Sequence, residues 1–175
     1  DVAVMGSFKA VGHRIPLVVS GTRAPEMAAF ADTIGAPAKI LSDGIGDASA
    51  IKILRSILMR GIEALSVEFL VAARRQGLVD QALDNLDDVD AIGLAEFVKV
   101  MTITHLAHAK RRMEEMEKAI QNLEETGVPP LMSEAIRQSH QRTVSANLDP
   151  GEIAEADLNE AIRILDDLVV GPKSP

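Results

Sequence analysis

The sequence predicts a mainly α-helical protein with a short αβ segment at its N-terminal end. Two apolar runs rich in β-branched residues, 2–5 and 15–20, each end at a glycine, which is typical of short buried strands. From residue 48 onward, apolar residues recur at steps of three and four, the spacing of amphipathic helices. These observations predict a sheet fragment followed by a helical domain.

The αβ segment continues with a helix and a short third strand. Pro25 and Glu26 lie in the first predicted turn of the helix, and Gly35 follows its end. Residues 39–41 could form the third strand. Because so few strands do not make a stable sheet, we expect either the C-terminal part of something larger or a sheet borrowed from another chain. A native start with a processed N-terminus is the alternative.

The central feature is a long helix predicted over residues 48–76. This stretch has no proline, Gly61 is its only glycine, and Gly77 follows where a glycine commonly ends a helix. Such a helix would be a rod of about 43 Å. Because it is apolar around most of its circumference, we expect it to be buried. Its periodic apolar positions are Ile51, Leu54, Leu58, Ile62, Leu65, Phe69 and Ala73.

The remaining sequence predicts further helices and a frayed tail over residues 171–175. An acidic turn at residues 87–90 separates the first of these helices from the rest. The predicted helices cover residues 79–86, 94–101, 104–126, 133–143 and 158–169.

Composition excludes several classes of function. The 18 Lys and Arg residues against 26 Asp and Glu give a net charge of −8, so nucleic acid and anionic membrane are not expected as main partners. With no cysteine, the chain cannot form disulfides, zinc–thiolate sites or a cysteine nucleophile. No apolar run reaches the roughly twenty residues of a membrane span and no signal peptide is visible, so we expect a cytoplasmic protein.

A polar stripe on the central helix suggests chemistry. At 100° per residue, Lys52, Ser56, Glu63 and Ser66 fall within about 80° of one another. A lysine early in a helix, near other cations and partly buried, would have a lowered pKa, which suits proton transfer near neutrality. The alternative is that Lys52 reaches solvent and the stripe is simply the wet face of the helix.

Three segments carry a resemblance to a known family. Residues 44–52 (GIGDASAIK) are similar to the glycine-rich turn and catalytic-lysine helix of the β-hydroxyacid dehydrogenase superfamily, which includes 6-phosphogluconate and 3-hydroxyisobutyrate dehydrogenases. Residues 1–7 (DVAVMGS) resemble its substrate loop, and residues 14–21 (RIPLVVSG) the strand that follows. The nearest likeness is to a phosphogluconate-dehydrogenase-like branch with a distinctive helical C-terminal domain.

The resemblance implies a domain organisation. Residues 1–43 would be the terminal strands and helix of an incomplete Rossmann-type domain. Residues 44–175 would be a helical domain like the C-terminal domain of 6-phosphogluconate dehydrogenase, which binds substrate and forms a homodimer.

The resemblance also implies hydride transfer between a nicotinamide cofactor and a small β-hydroxy acid or related compound. Lys52 would donate and accept the proton at the reacting oxygen. His108 could face the same cleft and bind a substrate oxygen. The residues expected to bind substrate are Gly6, Ser7, Gly46, Ser56, Arg60 and His108.

Three positions depart from the family pattern. Met5 replaces the loop serine, Ser56 replaces an asparagine, and Glu114 stands where many relatives carry a cofactor-contacting lysine. Arg111 or Arg112, one turn earlier, could replace that charge.

The sequence contains no complete dinucleotide-binding fingerprint. No G-x-G-x-x-G follows a strand, and residues 44–46 lack the third glycine and the later acidic residue. We therefore expect NAD or NADP only in the complete protein, and this chain alone to be inactive.

No metal site is expected. His105 and His108 are spaced to share an ion, but Glu114 and Glu115 lie too far along the helix to complete the set with His105.

Two non-catalytic functions stay open. A central helix too apolar for a small domain to bury favours a helical dimerisation or interaction module. A substrate-binding or regulatory remnant without catalysis is the other.

Overall fold

The computed structural model describes residues 1–171 of the chain. They divide into two compact units, Asp1–Glu63 and a second unit that begins at Ala64, so the division falls inside one long helix. The described residues are 71% helical and include a three-stranded sheet near the N-terminus. The predicted fold class, mainly α with a short αβ segment, is confirmed.

The sheet of the first unit has the strand order β1-β2-β3. Strand β1 (Val2–Val4) runs antiparallel to β2 (Leu17–Ser20), with Ala3 opposite Val18. Strand β3 (Ala38–Ser42) runs parallel to β2, and the register shifts between Val19 and Ser20. The three predicted strands are therefore present, with β3 longer than expected.

The helices of the first unit connect these strands. A short helix α1 (Phe8–Val11) and a 3₁₀ turn (Gly12–Arg14) join β1 to β2, and neither was predicted. Helix α2 (Ala24–Thr33) joins β2 to β3, with Pro25 in its first turn. Small side chains let α2 pack closely on β2, and the buried core consists of Ile15, Leu17, Val19, Ala24, Ala31 and Ala36.

The long helix α3 (Asp47–Gln76) has the predicted extent, but the expectation that it is buried is wrong. Ile53, Leu54 and Ile57 expose 63%, 59% and 68% of their surface. The physical reason is that the first unit is too small to cover a helix that is apolar on several sides. We call these three residues the α3 stripe.

The second unit consists of helices. After α3 come two short helices, α4 (Val79–Asp84) and α5 (Asp87–Asp90), the latter where an acidic turn was predicted. They are followed by α6 (Leu94–Glu125), α7 (Leu131–Ser145), the unpredicted α8 (Pro150–Ala154), α9 (Leu158–Ile164) and a π-helical turn (Leu165–Val170).

The two helices predicted over 94–101 and 104–126 are one continuous helix. Nothing in the sequence breaks it, because residues 102–104 contain neither glycine nor proline. The Thr102 hydroxyl donates to the Val98 carbonyl and the Thr104 hydroxyl to the Val100 carbonyl, both at 2.8 Å, so these β-branched residues are accommodated inside the helix.

Helix α6 organises the second unit by packing along α7 and also against α8 and α9. One buried cluster joins Leu106 to Ala161 and Ile164, and another joins Ala72, Leu123 and Val128. The predicted frayed tail falls mostly on residues 172–175, outside the described residues.

Candidate functional site

The first turn of α3 is attached to the end of the sheet. The backbone N–H of Ala48 donates to Ser20 Oγ at 3.0 Å, and that of Ser49 donates to the Asp1 carboxylate at 2.9 Å. The Ser49 hydroxyl donates to the same carboxylate at 2.8 Å. Gly46 ends the preceding turn with φ +99°, a conformation that glycine adopts easily, and its carbonyl accepts the N–H of Ala50.

The predicted polar stripe begins one turn after this attachment. Lys52 is exposed, and its amine has no hydrogen-bond or ion-pair partner among residues 1–171. Ser56 is also exposed, but its hydroxyl donates to the Lys52 carbonyl at 2.9 Å. Arg60 forms an ion pair with Glu63. Of these groups, the Lys52 amine is the one that makes no hydrogen bond or ion pair among residues 1–171.

Gly6 and Ser7 lie after β1, at the other end of the first unit's sequence. Gly6 has φ +101°, and Ser7 precedes α1 with its carbonyl accepting the Ala10 N–H at 3.0 Å. The Ser7 hydroxyl makes no capping bond. Within residues 1–171, no hydrogen bond joins either residue to Lys52. The substrate cradle that the resemblance implies therefore stays a prediction.

A cavity of about 600 Å³ opens at the C-terminal end of β2, in the first unit. Sequence analysis did not predict it. Its lining includes Asp1 and Ser20, the two residues that attach α3, but none of the predicted substrate-binding residues. It also includes Gly21, Thr22, Arg23 and Phe30.

The predicted site residue His108 lies on α6, in the second unit, and is exposed. The neighbouring His105 behaves differently: it is half-buried, hydrogen-bonded through Nε2 to Thr143 Oγ1 at 2.7 Å, and stacked on His140. Burial and the nearby charges of His140, Arg112 and Arg142 lower the pKa of His105 to about 4. The sequence favoured a solvated or hydrogen-bonded His105 over a metal ligand, but it did not indicate the partner Thr143 or the stacking on His140.

The two arginines considered for cofactor binding have partners inside the second unit. Arg112 donates to Thr104 Oγ1 at 2.9 Å, and Arg111 forms an ion pair with Glu115. Glu114 is exposed.

A second feature that the sequence did not reveal is the buried carboxylate of Glu68. It is 8% exposed and accepts hydrogen bonds from the Met132 N–H at 2.8 Å, the Ser133 N–H at 2.9 Å and the Ser133 hydroxyl at 2.6 Å. Burial by itself raises the pKa of Glu68, but the hydrogen bonds from Ser133, Met132 and Leu131 together outweigh it and hold the pKa below its usual value. Glu68 thus caps the N-terminus of α7 from α3.

No group of three or more His, Cys, Asp or Glu side chains suited to an ion occurs in the described part of the chain. Among the helices within residues 1–171, none combines the length and apolar content needed to cross a bilayer.

Comparison with solved structures defines the fold. An imine reductase from Myxococcus stipitatus, solved in complex with NADP⁺, matches 95% of this chain and 61% of its own, with a TM-score of 0.69 and 16% identity. A conserved protein of unknown function, reported to be structurally similar to 3-hydroxyacid dehydrogenases, is 33% identical over 84% of this chain and 56% of its own, with a TM-score of 0.48. The chain therefore shares the fold of the part of the imine reductase that it matches, a helical domain preceded by a short αβ segment.

Sequence comparison finds a similarity within the second unit. Residues 73–143 match the family model DUF1932, a domain of unknown function. An uncharacterised 28.5 kDa protein from Methanothermus fervidus is 26% identical over 116 residues. That match covers 66% of this chain but 45% of the relative, so the chain corresponds to less than half of that relative's length.

Proposed function

We propose that this chain is the substrate-binding and dimerisation part of a nicotinamide-dependent oxidoreductase in which Lys52 moves the proton. The observation that carries the proposal is the Lys52 amine, exposed and without a partner among residues 1–171, one turn beyond the attached start of α3. The relation to hydroxyacid dehydrogenase-like oxidoreductases supports it at the level of the family.

The proposed chemistry is reduction of a short keto acid or imine, or oxidation of the corresponding hydroxy acid or amine. Lys52 Nζ donates a proton to the carbonyl oxygen or imine nitrogen as the adjacent carbon gains a hydride, and takes that proton back in the reverse direction. The proposed substrate contacts in the first unit are Gly6, Ser7, Gly46, Ser56 and Arg60. When bound, NAD or NADP would supply or accept the hydride.

The start of α3 does not offer a cradle for the cofactor's phosphates. The start of a helix is a common phosphate site, but the first N–H groups of α3 already bond to Ser20 and Asp1. Binding of the cofactor is therefore assigned to the remainder of the complete protein, and this chain alone is expected to be inactive.

The test is turnover by the full-length protein with NADH or NADPH and a panel of short keto acids and cyclic imines. Lys52→Ala should lower kcat by a factor on the order of 10²–10⁴ and leave the affinity for the cofactor nearly unchanged. Lys39→Ala, which removes another exposed lysine of the first unit, is the matched control and should retain activity. Full activity of Lys52→Ala would contradict the proposal.

A second candidate function is assembly without catalysis. The α3 stripe favours it, because three neighbouring large apolar side chains are more than half exposed on one helix. A second copy of the chain that covers the stripe would bury this surface, and the same contact is compatible with the enzyme. The two functions separate in the assay above, since a pure assembly module would form dimers and show no turnover.

A further inference from the structure

Ser20, the last residue of β2, has a buried side chain that ends in a hydroxyl group. It is 2% exposed, and its Oγ accepts the N–H of Ala48, 28 residues later in the sequence. The first N–H groups of a helix have no partner within the helix, so a side-chain oxygen at this place contributes to its stability. This hydrogen bond therefore connects the end of β2 to the start of α3. We call such a side-chain connection to a helix start a tie.

Asp1, the residue before β1, makes a second tie to the start of α3. Its carboxylate accepts both the N–H and the hydroxyl of Ser49, and its own carbonyl accepts the Ser20 N–H at 2.9 Å. A negative charge at a helix N-terminus also interacts favourably with the helix dipole. Asp1 and Ser20 are thus bonded to each other and to consecutive residues of α3.

A third tie closes the turn before the helix. The Ser42 hydroxyl, at the end of β3, donates to the Asp47 carboxylate at 2.5 Å, and its oxygen accepts the Gly44 N–H at 3.2 Å. The Ser42 carbonyl accepts the Gly21 N–H at 3.0 Å. The ends of β2 and β3 and the start of α3 therefore form one hydrogen-bonded network.

Lys52 lies four residues after Ala48, about 6 Å along the helix axis and on the same face. A straight helix transmits the position of its first turn to the next, so a residue that fixes Ala48 also fixes the backbone of Lys52. We propose that Ser20 and Asp1 are positioning residues for Lys52, which set where its amine meets the substrate. This inference rests on the function proposed above.

The first measurement is amide hydrogen exchange in the full-length protein. In Ser20→Ala, and in Asp1→Ala, the amides of residues 48–52 should exchange about fivefold faster, the effect of losing one helix cap. Asp1→Asn keeps an acceptor oxygen and should have a smaller effect than Asp1→Ala. Thr33→Ala is the matched control, because it removes a hydroxyl bonded to the Phe30 carbonyl at 2.6 Å, elsewhere in the first unit.

The second measurement separates positioning from general stability. Ser20→Ala and Asp1→Ala should lower kcat at least about tenfold, with KM for the cofactor unchanged, and Asp1→Asn should recover part of the loss. Unchanged exchange in both alanine variants would overturn the proposal, and so would faster exchange with unchanged kcat. Full activity of Lys52→Ala would instead refute the proposed function itself. Because Asp1 is exposed, its variants keep the test valid if Ser20→Ala fails to fold.

Discussion

The imidazole rings of His105 and His140 are stacked between α6 and α7, with centroids 4.8 Å apart and planes inclined by 24°. His140 Nδ1 is buried and has no hydrogen-bond partner among residues 1–171. Arg112 and Arg142 add positive charge near His105. This contact favours neutral rings, because protonation would place further charge in a half-buried site beside two arginines.

We predict that the stability of the second unit falls in mild acid because of His105. Burial and the neighbouring positive charges lower its pKa from 6.5 to about 4 in the folded protein, so the unfolded state binds the proton first. The stabilisation that the neutral His105 ring provides is fully present above about pH 6.5 and is lost as the pH falls towards 4. After allowance for partial exposure, the loss should be about 1–2 kcal/mol.

Urea unfolding followed by circular dichroism, at a series of pH values, measures this loss. His105→Gln cannot titrate and keeps a nitrogen near the position of Nε2, so its unfolding free energy should depend less on pH. His13→Gln removes an exposed histidine of the first unit and should behave like the unmodified protein. An undiminished acid loss in His105→Gln would show that other groups are responsible.

Loss of the Glu68 carboxylate should destabilise the second unit. Glu68→Gln removes the charge that accepts three hydrogen bonds at the start of α7 and leaves buried donors poorly satisfied. We expect a decrease of about 2–4 kcal/mol in the unfolding free energy, measured by denaturant titration. Glu114→Gln, at an exposed position on α6, should change it by less than about 0.5 kcal/mol. Equal effects of the two changes would contradict a capping role for Glu68.

Two glycine substitutions, one just before α3 and one inside it, should have opposite effects on stability. Gly46→Ala forces a side chain onto φ +99° and should cost at least about 1–2 kcal/mol, although the space around it is open. Gly61→Ala, inside α3, meets no atom within 4 Å and should stabilise the protein by about 0.5–1 kcal/mol. Thermal unfolding of both variants checks the prediction, and destabilisation by Gly61→Ala would indicate close packing against that position.

The α3 stripe should control assembly. We expect the full-length protein to be a dimer at micromolar concentration by light scattering, and Ile57→Asp to convert it to a monomer without loss of helix. Ile45→Asp introduces the same charge at an exposed isoleucine before α3 and should leave the dimer intact. A monomeric wild-type protein would remove the basis for the assembly function.

Most of the fold could be predicted because its signals are local. The strands, α2 and α3 follow from apolar runs, a proline at a helix start and a glycine beyond a helix end. The predicted break in α6 at residues 102–103 is wrong, because no helix-breaking residue lies there. The exposure of α3 could not be predicted, since periodicity shows that a helix is apolar but not what covers it.

Less of the candidate site than of the fold could be predicted from the sequence. The position of Lys52 near the start of the long helix followed from spacing and resemblance, whereas its exposure was only the alternative interpretation. The ties made by Asp1, Ser20 and Glu68 did not, because each joins residues 28 or more positions apart. Asp1 and Ser20 lay inside segments already singled out, but nothing in those segments indicated that they would bond to the start of α3.

The bonds between Glu68 and Ser133 also have a consequence for the order of events as the chain folds. Helices α6 and α7 are joined by a short loop and can pair early, whereas Glu68 must close a separation of 65 residues. A newly made chain would therefore acquire the α6–α7 hairpin first, and docking of the end of α3 would complete the second unit in a later, slower step.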